Sequence, residues 1–409
     1  MSNIYHGIQL HWKREIIIFK LGIRMKLLGR QLIFGDPSPA DMIIFDEVNS
    51  SYVRQVIDLK FSVHIFKTRP ENLFIGPWVL FNFLFMLPSI KLSDIESLES
   101  GFIKRVLNQL KISYFLACFK RINPKAIITM IDNSPDFHWL SKNCKIYPFI
   151  ALQNGLRLSY ASKGTNSFFL QHYLCFGAHE RNLFRELNYS VENYHPVGSL
   201  LSSLHTINQK KVISKYDILI VSCWRGNIGF TQEVAETMRM MRTMDKLLAK
   251  YLLSRNHRAA IILRNEKGGE HWYIPELGLD EENYFKNIYG ESAEIIETNF
   301  QKRNIYPIMQ ASELIFSLLS TALIEGLGMG KKSFFLNFSG SNEYHRDFDE
   351  AMVLTESQLD LFSQKIDDIL AMPQGEYDKK YKSIKEYYMA SSNEKTTHKI
   401  IKEKIEDII

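Results

Sequence analysis

The segment Phe316-Ser317-Leu318-Leu319-Ser320-Thr321-Ala322-Leu323-Ile324-Glu325 passes from a β-rich run into a helical one at Ser320-Thr321. Two hydroxyls beside the free N–H groups of a helix start form a natural cradle for phosphate. Glu325 stands one turn further, on the side of Thr321, where it can accept from ribose hydroxyls. A plain N-cap and an exposed helix charge would give the same pattern, and capping is compatible with phosphate binding. Leu263-Arg264-Asn265-Glu266-Lys267 also follows a β-rich run. Arg264 and Lys267 suit a donor phosphate or carboxylate, Arg264 through a two-pronged contact, although a charged surface loop reads alike. Ser222-Cys223-Trp224-Arg225-Gly226-Asn227 opens the second half in the same way, with Asn227 a donor contact and Glu233 a candidate catalytic carboxylate a little beyond. An acid in the first turn of a helix also simply suits its dipole.

In the first half, Thr129-Met130-Ile131-Asp132-Asn133-Ser134 and Ala151-Leu152-Gln153-Asn154-Gly155-Leu156-Arg157 both turn polar where a β-rich run ends. Asp132 is a candidate base toward an acceptor hydroxyl, and Asn133, Gln153, Asn154 and Arg157 suit sugar hydroxyls or a carboxylate. Asp and Asn also start turns, and Gly155 would supply a positive φ. His195-Pro196 reads as a turn. Gly326, Gly328 and Gly330 resemble a dinucleotide fingerprint only superficially, because they end a helix and precede a strand instead of the reverse.

The elements that must hold these residues alternate. Strands are expected at 42–45, 63–66, 126–131, 149–153 and 173–176, with a long helix at 93–121 capped by Ser93 and Glu96 and ended by Asn123-Pro124. After Pro196-Val197-Gly198-Ser199 the pattern restarts, with strands at 216–221, 259–263, 293–296, 314–318 and 333–338 and helices between them. This is an α/β chain of two Rossmann-like domains facing across a cleft, where open sheets bind ligands beyond their carboxyl ends. The expected division is 1–200, a linker at 201–215, a nucleotide-binding half at 216–375 and closing helices at 376–409.

A length of 409 residues with 45% hydrophobic and 23% charged residues suits two packed domains. Fifty Lys and Arg against 45 Asp and Glu is too mild a balance for nucleic acid. Within the first thirty residues, Lys13, Arg14, Lys20, Arg24, Lys26 and Arg30 face only Glu15, a basic amphipathic stretch suited to an anionic membrane surface or to packing on its own domain. No apolar run is long enough to span a bilayer and no signal-peptide pattern is present, so a cytoplasmic protein, peripheral at the inner membrane, is expected. Cys118, Cys144, Cys175 and Cys223 lie far apart and read as buried small hydrophobes, with no metal-ligand spacing.

Read in order, IIFDEVNSSYV, IITMIDNSPDFHWLSK, ALQNGLR, CFGAHERNLF, HPVGSL, ILIVSCWRGN, ILRNE and LLSTALIEGLGMGKKSFFLNFSG resemble bacterial surface-carbohydrate (capsule and O-antigen) biosynthesis proteins. That family is similar to GT-B transferases such as the retaining β-Kdo enzymes. The resemblance implies a GT-B-like fold, and transfer of Kdo or a nonulosonic acid from a CMP-sugar donor to a lipid-linked or oligosaccharide acceptor. It implies no metal or other cofactor. Ser320 and Thr321 would hold the CMP phosphate, Arg264 or Arg157 the sugar carboxylate, and Glu233 or Asp132 the nucleophile or base. Where the family carries an acid after the first strand of the second half, Ser222–Asn227 has none, and Glu233 is the nearest substitute. A CDP-glycerol phosphotransferase and a non-catalytic assembly protein of the same fold are the alternatives. The first would be expected to carry a histidine within Gln153-Asn154-Gly155.

Overall fold

The computed structural model describes residues 31–68, 72–87, 102–158, 168–206, 214–224, 232–266, 281–338, 345, 348–391 and 394–409. The first half contains β1 (Gln31–Ile33), β2 (Met42–Phe45), β3 (Val63–Phe66), β4 (Asn72–Phe74), β5 (Ala126–Thr129), β6 (Phe149–Leu152), β7 (Phe169–Cys175) and β8 (Ser190–Pro196). Its helices are α1 (Ser50–Val56), α2 (Pro77–Met86), α3 (Phe102–Ile122), α4 (Pro135–Asn143), α5 (His179–Glu186) and α6 (Leu200–Thr206). A parallel sheet runs in the order β3-β2-β5-β6-β7-β8, and β1 pairs separately with β4. The central strands MIIF, AIIT and FIAL are buried throughout, as strands covered by helices on both faces must be.

The second half contains β9 (Tyr216–Val221), β10 (Ala259–Ile262), β11 (Glu294–Ile296), β12 (Ser312–Ser317), β13 (Lys332–Leu336) and β14 (Val353–Leu354). Between and after them lie α7 (Gln232–Ser254), α8 (Glu281–Tyr289), α9 (Ile305–Gln310), α10 (Thr321–Gly328), α11 (Leu359–Ala371), α12 (Gln374–Lys380), α13 (Lys382–Tyr388) and α14 (Thr397–Ile408). The sheet order β11-β10-β9-β12-β13-β14 is the 3-2-1-4-5-6 order of a doubly wound nucleotide-binding fold. Strand order reverses between β9 and β12 here, and between β2 and β5 in the first sheet, so each half has a crevice at those carboxyl ends.

Several expectations are adjusted. The strand expected at 173–176 begins at Phe169, and His195-Pro196 ends strand β8 instead of forming a turn. β8 is an edge strand with mostly exposed polar residues, so it tolerates a terminal proline. Residues 201–206, the start of the expected linker at 201–215, lie in helix α6. The long helix is described from Phe102, and its expected Ser93 cap lies outside the described residues, as does the basic stretch before Gln31. Asn123 ends that helix in the left-handed region, with φ of 52°.

The chain does not finish on the second sheet. The Ala390 N–H donates to Phe176 O at 2.7 Å, and α14 then packs on α6 and α1 of the first half. Lys402 pairs there with Asp58 at 3.0 Å. Gly177 and Gly198 leave room for this return, because a Cβ would meet Tyr387 O at 2.3 Å and Ala390 O at 2.6 Å respectively.

Helices α7 and α8 are fastened by Asp245, whose carboxyl accepts from the hydroxyls of Tyr284 and Tyr289, each at 2.8 Å. Burial pushes Asp245 up to about 7. The folded chain therefore holds a proton that the unfolded chain releases near pH 4, and stability falls as pH rises through that interval. Asp245→Asn removes this component. Thermal denaturation across pH 4.5 to 7.5 is expected to show a shallower loss of stability, by on the order of a few kcal/mol at the upper end. An unchanged slope would contradict the assignment.

Candidate functional site

The carboxyl ends of the two sheets face one another, and hydrogen bonds among the described residues join them. The Leu156 N–H after β6 donates to Thr321 Oγ1 at 2.9 Å. Arg303 Nη2 donates to Asn49 Oδ1, after β2, at 2.7 Å, and the Ser199 hydroxyl donates to Glu325 at 2.5 Å.

At the crevice of the second sheet, Ser320 is the N-cap of α10, and its Oγ accepts from the Ala322 N–H at 3.2 Å. Both hydroxyls at this helix start therefore accept from a backbone N–H and keep their own protons to donate. Ser320 and Thr321 are half-buried. Gly155 allows the opposite loop to come this close: a Cβ there would lie 3.3 Å from Thr321 Oγ1 and 3.9 Å from Arg157 Nη1. Close approach explains this glycine, and its φ lies outside the left-handed region. His345, unnoticed in the sequence, holds the end of β12 through a 2.8 Å contact between Nε2 and Leu318 O.

Across the switch point, Ser317 Oγ donates to Val221 O at 2.9 Å and lies 3.1 Å from Cys223 Sγ. The neighbouring loops are organised by Glu281, another residue the sequence reading missed. Its fully buried carboxylate accepts from the Ser222 hydroxyl, the Arg264 N–H at 2.8 Å, and the Asn265 N–H and Nδ2 at 3.1 and 2.9 Å. Its only sequence signal was an acid in the first turn of a helix. The exposed Arg264 donates from Nη1 to Trp224 O at 3.0 Å, so its side chain reaches from the β10 loop to the β9 loop. Asn227 and Lys267 lie outside the described residues, as does the side chain of Glu233 on α7.

Three assignments change on the acceptor side. Asp132 is not a free base: it is fully buried, and Oδ2 accepts from Arg157 Nε at 3.0 Å and from the Tyr173 hydroxyl at 2.9 Å. Its Oδ1 accepts from Arg157 Nη2 and, at 3.4 Å, from the Asn154 N–H. A carboxylate so occupied and dry has neither the access nor the free lone pairs to take a substrate proton. Arg157 is correspondingly committed to Asp132 and to Asn154 Oδ1, at 2.8 Å, with only Nη1 directed toward Gly155. Gln153 is buried and spans Gly155 O at 3.0 Å, Glu180 at 2.8 Å and the Phe176 N–H at 2.6 Å, which makes it a brace for the loop and no sugar ligand. Asn133 is exposed beyond β5.

Glu325 changes as well. It is buried, accepts from Ser199 and from the Tyr306 hydroxyl at 3.0 Å, and burial raises its pKa. Its Oε1 holds the two halves together instead of awaiting a ribose. Among the triple-glycine residues, Gly326 packs where a Cβ would meet Ile315 at 2.8 Å and Ser333 at 2.9 Å, and Gly330 ends the helix with φ of 79°. All four cysteines are free and buried. Among the described residues, no group of three or more His, Cys, Asp and Glu side chains is placed to hold a metal ion.

No family model and no curated protein matches the chain. Solved structures do. A UDP-N-acetylglucosamine 2-epimerase is similar at 13% identity and TM-score 0.50, covering 91% of this chain and 95% of that one. A Listeria monocytogenes protein described as a UDP-N-acetylglucosamine 2-epimerase is similar at 12% identity and TM-score 0.50, covering 92% and 94%. The wall teichoic acid polymerase TagF is similar at 12% identity and TM-score 0.46, covering 90% and 89%. Likeness at this identity concerns the fold alone: the chain has a GT-B-type fold of two Rossmann-like α/β halves.

Proposed function

We propose that the protein is a glycosyltransferase that binds a nucleotide-activated sugar at the start of α10 and passes the sugar to a bacterial surface glycan. The observation that carries this reading is the helix start at Ser320-Thr321, which follows β12 at the switch point and meets the Gln153–Leu158 loop of the opposite sheet. N–H groups at a helix start, with two hydroxyls free to donate, stabilise the charge that grows on a leaving phosphate as the glycosidic bond breaks. Arg264, whose side chain reaches Trp224 on the β9 loop, is the candidate to meet a donor phosphate or carboxylate. The resemblance to surface-carbohydrate proteins favours a CMP-activated ulosonic acid as donor and a lipid-linked or oligosaccharide acceptor. In this scheme Glu233 is the candidate carboxylate, since Asp132 is committed elsewhere, and the basic N-terminal stretch would hold the enzyme at the inner membrane face.

The test is a donor panel with the purified chain: CMP-Kdo, CMP-pseudaminic acid, CMP-sialic acid, CDP-glycerol and UDP-N-acetylglucosamine, assayed for nucleotide release and for epimerised sugar. Release of CMP from a CMP-sugar is expected. Turnover of CDP-glycerol alone would reassign the chain to phosphotransfer, and epimerisation of the UDP-sugar would reassign it to epimerases. Glu233→Gln with full turnover would remove that carboxylate from the mechanism.

A further inference from the structure

Helix α2, PWVLFNFLFM, is apolar on two opposite faces. Val79 and Asn82 are buried, and Trp78, Phe83 and Met86 pack on the first-half core. The other face leaves Leu80, Phe81, Leu84 and Phe85 exposed at 44%, 70%, 64% and 72%. Positions i, i+1, i+4 and i+5 form one continuous stripe, where a surface helix normally carries charge. Near the helix start, Phe34 is 85% exposed, two residues before Asp36, whose carboxylate accepts the Val79 N–H at 3.0 Å.

The surroundings of this face are basic. α2 has no charged residue, and α3, packed against it, carries Lys104, Arg105, Lys111, Lys120 and Arg121 without one carboxylate, Lys111 being paired with Asp136 of the neighbouring helix α4. Arg121 lies over the Trp78 ring at 6.0 Å. The thirty residues outside the described structure, with six cations and one acid, join the fold at Gln31 on β1. β1 runs beside β4, the strand that leads directly into α2. The aromatic stripe thus belongs to a helix whose packed neighbour carries an excess of cations, and the basic segment joins the chain at the strand pair that leads into α2.

We infer that this face docks the protein on an anionic lipid bilayer, with Phe81 and Phe85 entering the headgroup boundary and Lys and Arg side chains meeting lipid phosphates. A protein partner would have to be both apolar and acidic over the same area, whereas an anionic membrane supplies both properties. The inference stands apart from the donor chemistry, because the stripe lies outside the crevice at α10.

The experiment is co-sedimentation of the full chain with phosphatidylcholine vesicles, with and without phosphatidylglycerol, beside Phe81→Glu/Phe85→Glu. Wild type is expected to sediment with the anionic vesicles and to be released by salt. The double variant is expected to lose at least ~10-fold in partitioning, with unchanged Tm and unchanged nucleotide affinity. The inference is overturned if wild type fails to bind anionic vesicles, or if the variant binds as well as wild type. It is equally overturned if the variant loses several degrees of Tm, which would mean that the stripe is covered within the folded chain. A dimer in light scattering that the variant converts to monomer would give the face to a second copy instead.

Discussion

Asp132→Ala is expected to lower the stability of the folded chain by about 3–5 kcal/mol, the loss typical of breaking one side of a buried ion pair. The substitution strands the Arg157 guanidinium, whose side chain is 16% exposed, and the buried Tyr173 hydroxyl. It also releases Asn154 and Arg157, the two residues that shape the loop in front of Thr321. A fall in Tm on the order of 10 °C should accompany it. Asp132→Asn keeps the shape but removes the charge, so it should lose a large part of the same stability. A catalytic base would behave in the opposite way, with activity abolished and Tm preserved. Parallel measurement of Tm and turnover in both variants separates the two roles, and a stable, inactive Asp132→Asn protein would restore the base.

Ser320→Ala with Thr321→Val should weaken nucleotide binding by at least ~100-fold. Two hydroxyl bonds to a charged phosphate are each worth about 1.5–3 kcal/mol, and 1.4 kcal/mol corresponds to a factor of ten. The structural penalty is smaller. Loss of the Ser320 cap costs about 1 kcal/mol, and the Leu156 N–H loses its partner at a site that is only partly buried. Calorimetric titration with CMP and UDP, read beside a melting curve, therefore distinguishes a ligand contact from a cap. Unchanged affinity in a folded double variant would end the phosphate assignment.

The core strands were legible because MIIF, AIIT and FIAL can be soluble only if covered on both faces. β8 was not, since an edge strand of SVENYHP needs no apolar alternation and looks like a loop. The cap at Ser320 was legible for a local reason: its partner Ala322 lies two residues away. Asp132 and Glu325 were misread for the converse reason. A carboxylate near a strand end or on a helix has the same local pattern whether it faces solvent or a buried partner. Those partners stand 25 and 126 residues away. Glu281 was hidden in the same manner, because three of its donors belong to loops 16 to 59 residues upstream.

The return of the chain to its first half makes the molecule a door hung on two pins. One pin is the outbound passage through Gly198, and the other is the inbound passage at Ala390, close enough that a single methyl at Gly198 would strike its carbonyl. Swinging apart about the line through both pins leaves these two passages nearly still. The greatest travel belongs to whatever stands farthest from that line, and shortening the chain before α14 would remove the second pin and free the swing in every direction.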